Sequence, residues 1–198
     1  MAVLRIVRYV AFVLIAVLAL GWVGVGLGMF EQRSNAPVPG SPTIGRFQLT
    51  DQDGRPVDEQ AILGRPALVF FGFTYCPDVC PTTLGSITAL LGRLGGDAEK
   101  LGVFFVTVDP DRDTPGELKK YLSSFNPRIR GLTGASEQIK ALARPLGVYF
   151  AKVESGGTYT MDHTASVFLL DAHGRFRGTI AYGEDAAVAE EKVRELLR

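Results

Sequence analysis

The sequence predicts an α/β sandwich built round a central mixed sheet, and three observations carry this. Residues 67–73 and 102–108 are short, almost unbroken apolar runs, the mark of strands buried on both faces. Each run is followed by a segment with a recognisable helix start and apolar residues at helical spacing. The chain then closes on an Asp171-Ala172-His173-Gly174 turn between two apolar runs and an amphipathic stretch over 185–198.

Taken in order, Phe47-Gln48-Leu49-Thr50 reads as a short strand ending in the turn Asp51-Gln52-Asp53-Gly54. Residues 67–73 form the first strong strand. Pro77 and Pro81 sit where a first helical turn tolerates proline. Leu84, Ile87, Leu90, Leu91 and Leu94 recur at helical spacing until Gly95-Gly96 stops the helix. Residues 102–108 are the second buried strand. Thr114 as N-cap, Pro115 at the first helical position and Glu117 completing a capping box open the next helix. Another helix starts at Ser136 and runs to about Leu146. Residues 149–153, 165–170 and 176–182 read as strands, the last two flanking the hairpin turn. A strand–cysteine–helix unit followed by a terminal hairpin and helix predicts a thioredoxin-like arrangement over residues 43–198.

Ahead of this domain, residues 9–30 form a 22-residue stretch without a charge. About 20 apolar residues span a bilayer core, whereas the apolar region of a signal peptide is about 7–15 residues long. The stretch is therefore read as a transmembrane anchor. Arg5 and Arg8 place residues 1–8 in the cytoplasm and the rest of the chain across the membrane. A cleaved signal is the competing reading, but no clean small-x-small site precedes the polar segment. Residues 31–42, rich in Pro, Gly, Ser and Asn, read as a linker. A short basic start with no transit peptide predicts a bacterial inner-membrane protein facing the periplasm, with the mitochondrial inner membrane as the alternative.

The 198 residues have room for one domain and an anchor. The formal net charge is zero, so no basic excess points to nucleic acid.

Cys76-Pro77-Asp78-Val79-Cys80-Pro81 holds both cysteines of the chain. Two thiols four residues apart on a first helical turn face the same way. The helix dipole lowers a thiol pKa there and favours thiolate. Such a pair suits a soft ion such as Cu(I), a redox disulfide, or a static structural disulfide. A static bridge closing so short a loop adds little chain entropy. Three residues between the cysteines, not two, depart from the usual thioredoxin pair.

A soft metal site needs a third ligand. His163, in Tyr159-Thr160-Met161-Asp162-His163-Thr164-Ala165, lies just before an apolar strand. Read alone, it is an ordinary polar residue or a ligand. His173 sits in a turn and reads as solvated. Met161 shares a face with His163 in an extended segment and offers a weak thioether or simple packing. Asp109, Asp111 and Asp113 follow the second buried strand, where α/β folds place sites; a solvated loop is the bland reading for Asp111 and Asp113. Asp78 either caps the helix or opposes a metal's charge. Asp78, Asp109 and Met161 are the candidates for positions around the ligands.

Three stretches together resemble the SCO/SenC family: Phe71-Gly72-Phe73-Thr74-Tyr75-Cys76-Pro77-Asp78-Val79-Cys80-Pro81, Thr107-Val108-Asp109-Pro110-Asp111-Arg112-Asp113-Thr114-Pro115 and Asp162-His163-Thr164-Ala165. They occur in the family's order, and the resemblance spans about Pro42 to Arg198. It implies a membrane-anchored, thioredoxin-fold copper protein that assists assembly of the binuclear copper centre of cytochrome c oxidase. By motif position it implies Cys76, Cys80 and His163 as copper ligands, with Cys76 and Cys80 also able to form a redox disulfide. Implied partners are the oxidase's copper-binding subunit and a copper donor or thiol reductant.

No catalytic residue is assigned, because the reading is a metallochaperone. The alternative is a thiol–disulfide reductase that keeps the oxidase's cysteines reduced. A peroxidase of the peroxiredoxin type shares the fold, but Phe73-Thr74-Tyr75 before Cys76 departs from that family's signature.

Overall fold

The computed structural model describes Tyr9, Phe12 and residues 40–198. The chain divides into two units, Met1–Val38 and Pro39–Arg198, and the fold below is that of the second. The anchor expected over residues 9–30 and the linker up to residue 39 lie outside the described residues, Tyr9 and Phe12 apart. Among the described residues, no helix is long and apolar enough to cross a membrane.

In chain order the elements are β1 (Gln48–Asp51), β2 (Pro56–Asp58), β3 (Ala67–Gly72), α1 (Val79–Leu94), β4 (Gly102–Thr107), α2 (Pro115–Leu122), β5 (Ile129–Thr133), α3 (Ser136–Ala143), β6 (Phe150–Ser155), β7 (Thr158–His163), β8 (Val167–Leu170), β9 (Phe176–Ile180) and α4 (Ala186–Leu196). Seven strands form one sheet in the order β2-β1-β5-β4-β3-β8-β9. β3 pairs parallel with β4, and β4 with β5, while the other pairings are antiparallel. This is the expected mixed sheet of a thioredoxin-like fold.

Every residue of β3 and β4 is buried. Successive side chains of a strand face opposite sides, so both faces of the sheet centre are covered. Phe70 and Phe71 thus enter opposite halves of the core, each contributing about 1.5–3 kcal/mol by burial. α1 buries Leu84, Ile87, Leu90, Leu91 and Leu94, the stripe read from the sequence, and stops at Gly95, whose φ of 56° suits a residue without Cβ. α1 packs on α4, α2 on β5 and α3 on β1.

Two local readings are corrected and a third is extended. α1 begins at Val79, so Pro77 and Cys76 precede the helix and do not share its first turn. Thr114 caps α2 by accepting from the Glu117 amide at 3.3 Å. The reciprocal half of the expected box is absent, because the Thr114 amide goes to the Arg112 carbonyl at 3.1 Å. His163 precedes the apolar strand β8 as read, but it also ends a strand of its own, β7, which pairs with β6 in a separate two-stranded sheet.

The chain is fastened to the sheet from Pro42 onward. The Pro42 carbonyl accepts from the Phe176 amide at 2.8 Å, and the Ile44 amide donates to the Gly174 carbonyl at 3.0 Å. Thr43 bridges to Arg175. The last linker residue is therefore part of the folded unit.

Candidate metal centre

β3 delivers the cysteine loop. Its final residue, Gly72, has no room for a side chain: a Cβ there would stand 2.8 Å from Cys80 Sγ and 2.8 Å from Phe105 Cε2. The missing Cβ lets Cys80, the second residue of α1 and fully buried, lay its sulfur against the strand end. Cys76 is half-buried in the loop before the helix. Its sulfur accepts from the Cys80 amide at 3.4 Å, so Cys76 itself satisfies an N-terminal amide of α1.

Asp78 occupies the N-cap position, yet its side chain makes no capping bond. It accepts from Thr82 Oγ1 at 3.2 Å instead, leaving the helix end to the sulfur.

The two thiols titrate as a pair. The Cys80 thiol hydrogen bond is the largest cause lowering the Cys76 pKa to about 4, with the His163 side chain and then the amides of Cys80 and Asp78 assisting against burial. The same bond and burial push the Cys80 pKa up. One half-buried thiolate and one fully buried thiol result, an arrangement with one nucleophilic sulfur.

β7 supplies the third group. His163 Nε2 stands 3.5 Å from Cys80 Sγ. Its Nδ1 lies 3.1 Å from the Thr164 carbonyl, which can only accept, so Nδ1 carries the proton and Nε2 presents a lone pair to the sulfurs. Phe73 and Phe70 wall the imidazole edge-on, with ring centroids 5.8 and 6.2 Å away. Among the described residues, Cys76, Cys80 and His163 form a group able to hold a metal, with their ligand atoms all within 4.8 Å of one another. Metal–sulfur and metal–nitrogen bonds of about 2.0–2.3 Å close such a triangle with small side-chain movement.

The other expected residues sort differently. Met161 is partly buried against the core, and alternation along β7 puts it on the His163 face. Asp109 is buried and accepts from Tyr159 Oη at 2.9 Å and from Arg112 Nε. His173 is exposed, as its turn position implied. Asp111 is exposed, but Asp113 is not solvated: it is fully buried. Its carboxylate receives the Thr74 amide at 3.0 Å, Thr74 Oγ1 at 2.6 Å and Thr107 Oγ1 at 2.6 Å. Burial holds its pKa above the usual carboxylate value. Asp113 thereby fixes the residue two positions before Cys76.

The sequence did not single out Gly72, Thr74, Arg112 or Tyr159 for these roles. Their signal was their place inside the motif stretches.

The sequence model of the SCO1/SenC family matches residues 35–198. The mitochondrial protein SCO2 of Saccharomyces cerevisiae is 37% identical over 158 residues, covering 78% of this chain and 52% of the yeast protein. The chain thus spans about half that relative's length. The structure of Bradyrhizobium japonicum ScoI with copper bound matches at a TM-score of 0.70 and 44% identity, covering 78% of this chain and 97% of that one. Arabidopsis thaliana ScoI with copper bound matches at a TM-score of 0.73 and 32% identity, covering 79% and 98%. A family match over the whole folded unit, close structural likeness to copper-bound relatives and a converged Cys76, Cys80 and His163 lead to one conclusion: the chain belongs to the SCO1/SenC family.

Proposed function

We propose that this protein is a copper chaperone that binds one Cu(I) through Cys76, Cys80 and His163 and passes it to the copper-binding subunit of cytochrome c oxidase. The observation that carries this is the approach of the His163 lone pair to the Cys80 sulfur. Two thiolates and one imidazole make a soft three-donor set suited to Cu(I). Half-exposure of Cys76 gives an acceptor's ligand a sulfur to displace first, so the ion can leave by stepwise exchange. Asp78, Asp109 and Met161 surround the ligands in this reading without bonding the ion.

The uncharged stretch over 9–30, with Arg5 and Arg8 ahead of it, supports an inner-membrane anchor and a domain on the periplasmic side. The linker ahead of Pro42 serves as its tether.

The deciding experiment is anaerobic Cu(I) titration of the reduced protein against His163→Ala, with X-ray absorption on the loaded wild type. We expect one ion per chain, mixed sulfur and nitrogen scattering, and weakened binding in the variant. A sulfur-only shell in the wild type would remove His163 from the site.

The asymmetry of the sulfurs favours a second reading. Thiolate Cys76 can attack a partner disulfide, and Cys80 can then resolve the mixed disulfide. The partner leaves as a dithiol, and Cys76–Cys80 becomes oxidised until a thiol reductant restores it. This reductase activity needs no imidazole. Oxidase activity in a deletion strain complemented with His163→Ala therefore separates the two: loss at limiting copper supports delivery, and near-wild-type activity supports reduction.

A further inference from the structure

His163 rides on a hairpin that shares no strand pairing with the main sheet: β6 and β7 pair with each other, outside the seven-stranded order. Something other than the sheet must hold the imidazole against the sulfurs. Phe70 and Phe73 pack on the imidazole and the Tyr159 hydroxyl reaches Asp109, and one further side chain touches both sides of the gap. Arg112, in the loop after β4, donates Nη1 to the Tyr159 carbonyl of β7 at 3.1 Å. Its guanidinium lies 3.8 Å from the centroid of the Tyr159 ring and 4.7 Å from that of Tyr75. Its Nε is paired with buried Asp109, which also accepts the Tyr159 hydroxyl at 2.9 Å. Tyr75 adjoins Cys76, and Tyr159 shares a strand face with His163 by alternation. Arg112 therefore touches both segments that carry the ligands, and it bonds no ligand atom itself.

We infer that Arg112 is a positioning residue that docks the β6–β7 hairpin onto the cysteine loop and so holds His163 within reach of the metal. A planar fork that stacks on a ring while donating to a carbonyl and a carboxylate is guanidinium chemistry, which an ammonium does not reproduce. The inference rests on the copper-site reading for its consequence and on the hairpin geometry for its cause.

A double-mutant cycle tests it in the reduced full-length protein, with Cu(I) competed against a bicinchoninate probe and with amide hydrogen exchange read by mass spectrometry. Arg112→Gln should weaken copper binding about tenfold or more in the wild-type background, yet less than about twofold when His163 is already Ala. Exchange should quicken in residues 150–163 while β3 and β4 stay protected. Arg112→Lys should recover little. Tyr159→Leu, which leaves Arg112 in place, should give the same pattern and decides the matter if Arg112→Gln does not fold. An equal affinity loss in both backgrounds overturns the inference, since Arg112 would then act on the cysteines or on the whole fold. Unchanged hairpin exchange overturns it too. If His163→Ala alone leaves copper affinity unchanged, the ligand reading fails, and the docking then stands or falls on the exchange data.

Discussion

The buried Cys80 thiol stands between two acceptors, the Cys76 sulfur, which its hydrogen bond stabilises as a thiolate, and His163 Nε2, 3.5 Å away. The three donor atoms thus stand together before any ion arrives, all within 4.8 Å of one another. Metal binding through both sulfurs needs the Cys80 proton to leave.

Alkylation should expose the asymmetry. With its pKa lowered to about 4, Cys76 is thiolate at all pH values well above 4, so its iodoacetamide reaction should be nearly flat from about pH 6 to 8, where an ordinary thiol of pKa about 8.5 gains reactivity steeply. Cys80 should stay unmodified. Cys80→Ala removes the largest cause of the shift and should move the Cys76 profile up toward the ordinary range. Peptide mapping after timed alkylation checks this; a steep Cys76 profile in the wild type would rule it out.

Copper binding should release close to one proton. Cys76 enters as thiolate, so the proton that the sulfurs give up comes from Cys80, whose pKa is raised. Affinity should therefore rise about tenfold per pH unit between about pH 7 and 8. Calorimetry in buffers of different ionisation enthalpy gives the count. Release of two protons would mean that both sulfurs are ordinary thiols in the free protein.

Gly72→Ala should damage site and fold together. The added methyl would meet Cys80 Sγ and Phe105 Cε2, each at 2.8 Å. Overpacking of this kind costs about 1–3 kcal/mol, to be read from the denaturant midpoint, and displacement of Cys80 should weaken copper binding. Unaltered stability would show that the sulfur and ring move aside freely.

Thr74→Val keeps the side-chain shape and deletes the hydroxyl 2.6 Å from Asp113 Oδ1. A buried carboxylate short of one donor should lower stability by about 1–3 kcal/mol. The copper ligands should be unchanged by X-ray absorption, because Thr74 orders the loop and bonds no ligand atom.

Topology can be read with fusions after Arg198. A reporter that works only outside the cytoplasm should be active there, given the basic residues Arg5 and Arg8 before the apolar stretch. Activity of a cytoplasm-only reporter would reverse the orientation.

What the sequence made legible was what periodicity and spacing encode. β3 and β4 announced themselves as apolar runs, and α1 by a leucine stripe ending at Gly95. Cys76 and Cys80 were legible as a soft pair because few residue types serve as soft ligands, whereas His163, an ordinary polar residue or a ligand when read alone, was singled out by the resemblance of its stretch to the SCO/SenC family. β5 was missed because Ile129-Arg130-Gly131-Leu132-Thr133 is short and broken by Arg130 and Gly131; its strand state comes from pairing with β4 and β1. β7 was missed because Thr158–His163 is mostly polar, as a hairpin outside the core can be. Asp113 looked solvated because charge near a loop usually is; the three bonds that bury it come from Thr74 and Thr107, which only the fold brings near.

The fastening of Pro42, Thr43 and Ile44 beside Gly174–Phe176 has a directional meaning. That turn follows Leu170, which pairs with Ala67 at the start of β3, whereas the cysteine loop leaves β3 after Gly72. The five steps from Ala67 to Gly72, at about 3.3 Å each, put roughly 17 Å of strand between the two places. The domain is thus a polar object, held at its base and armed at its tip. Within the folded unit, the place where the preceding chain joins the sheet and the loop that carries the sulfurs therefore lie at opposite ends of β3.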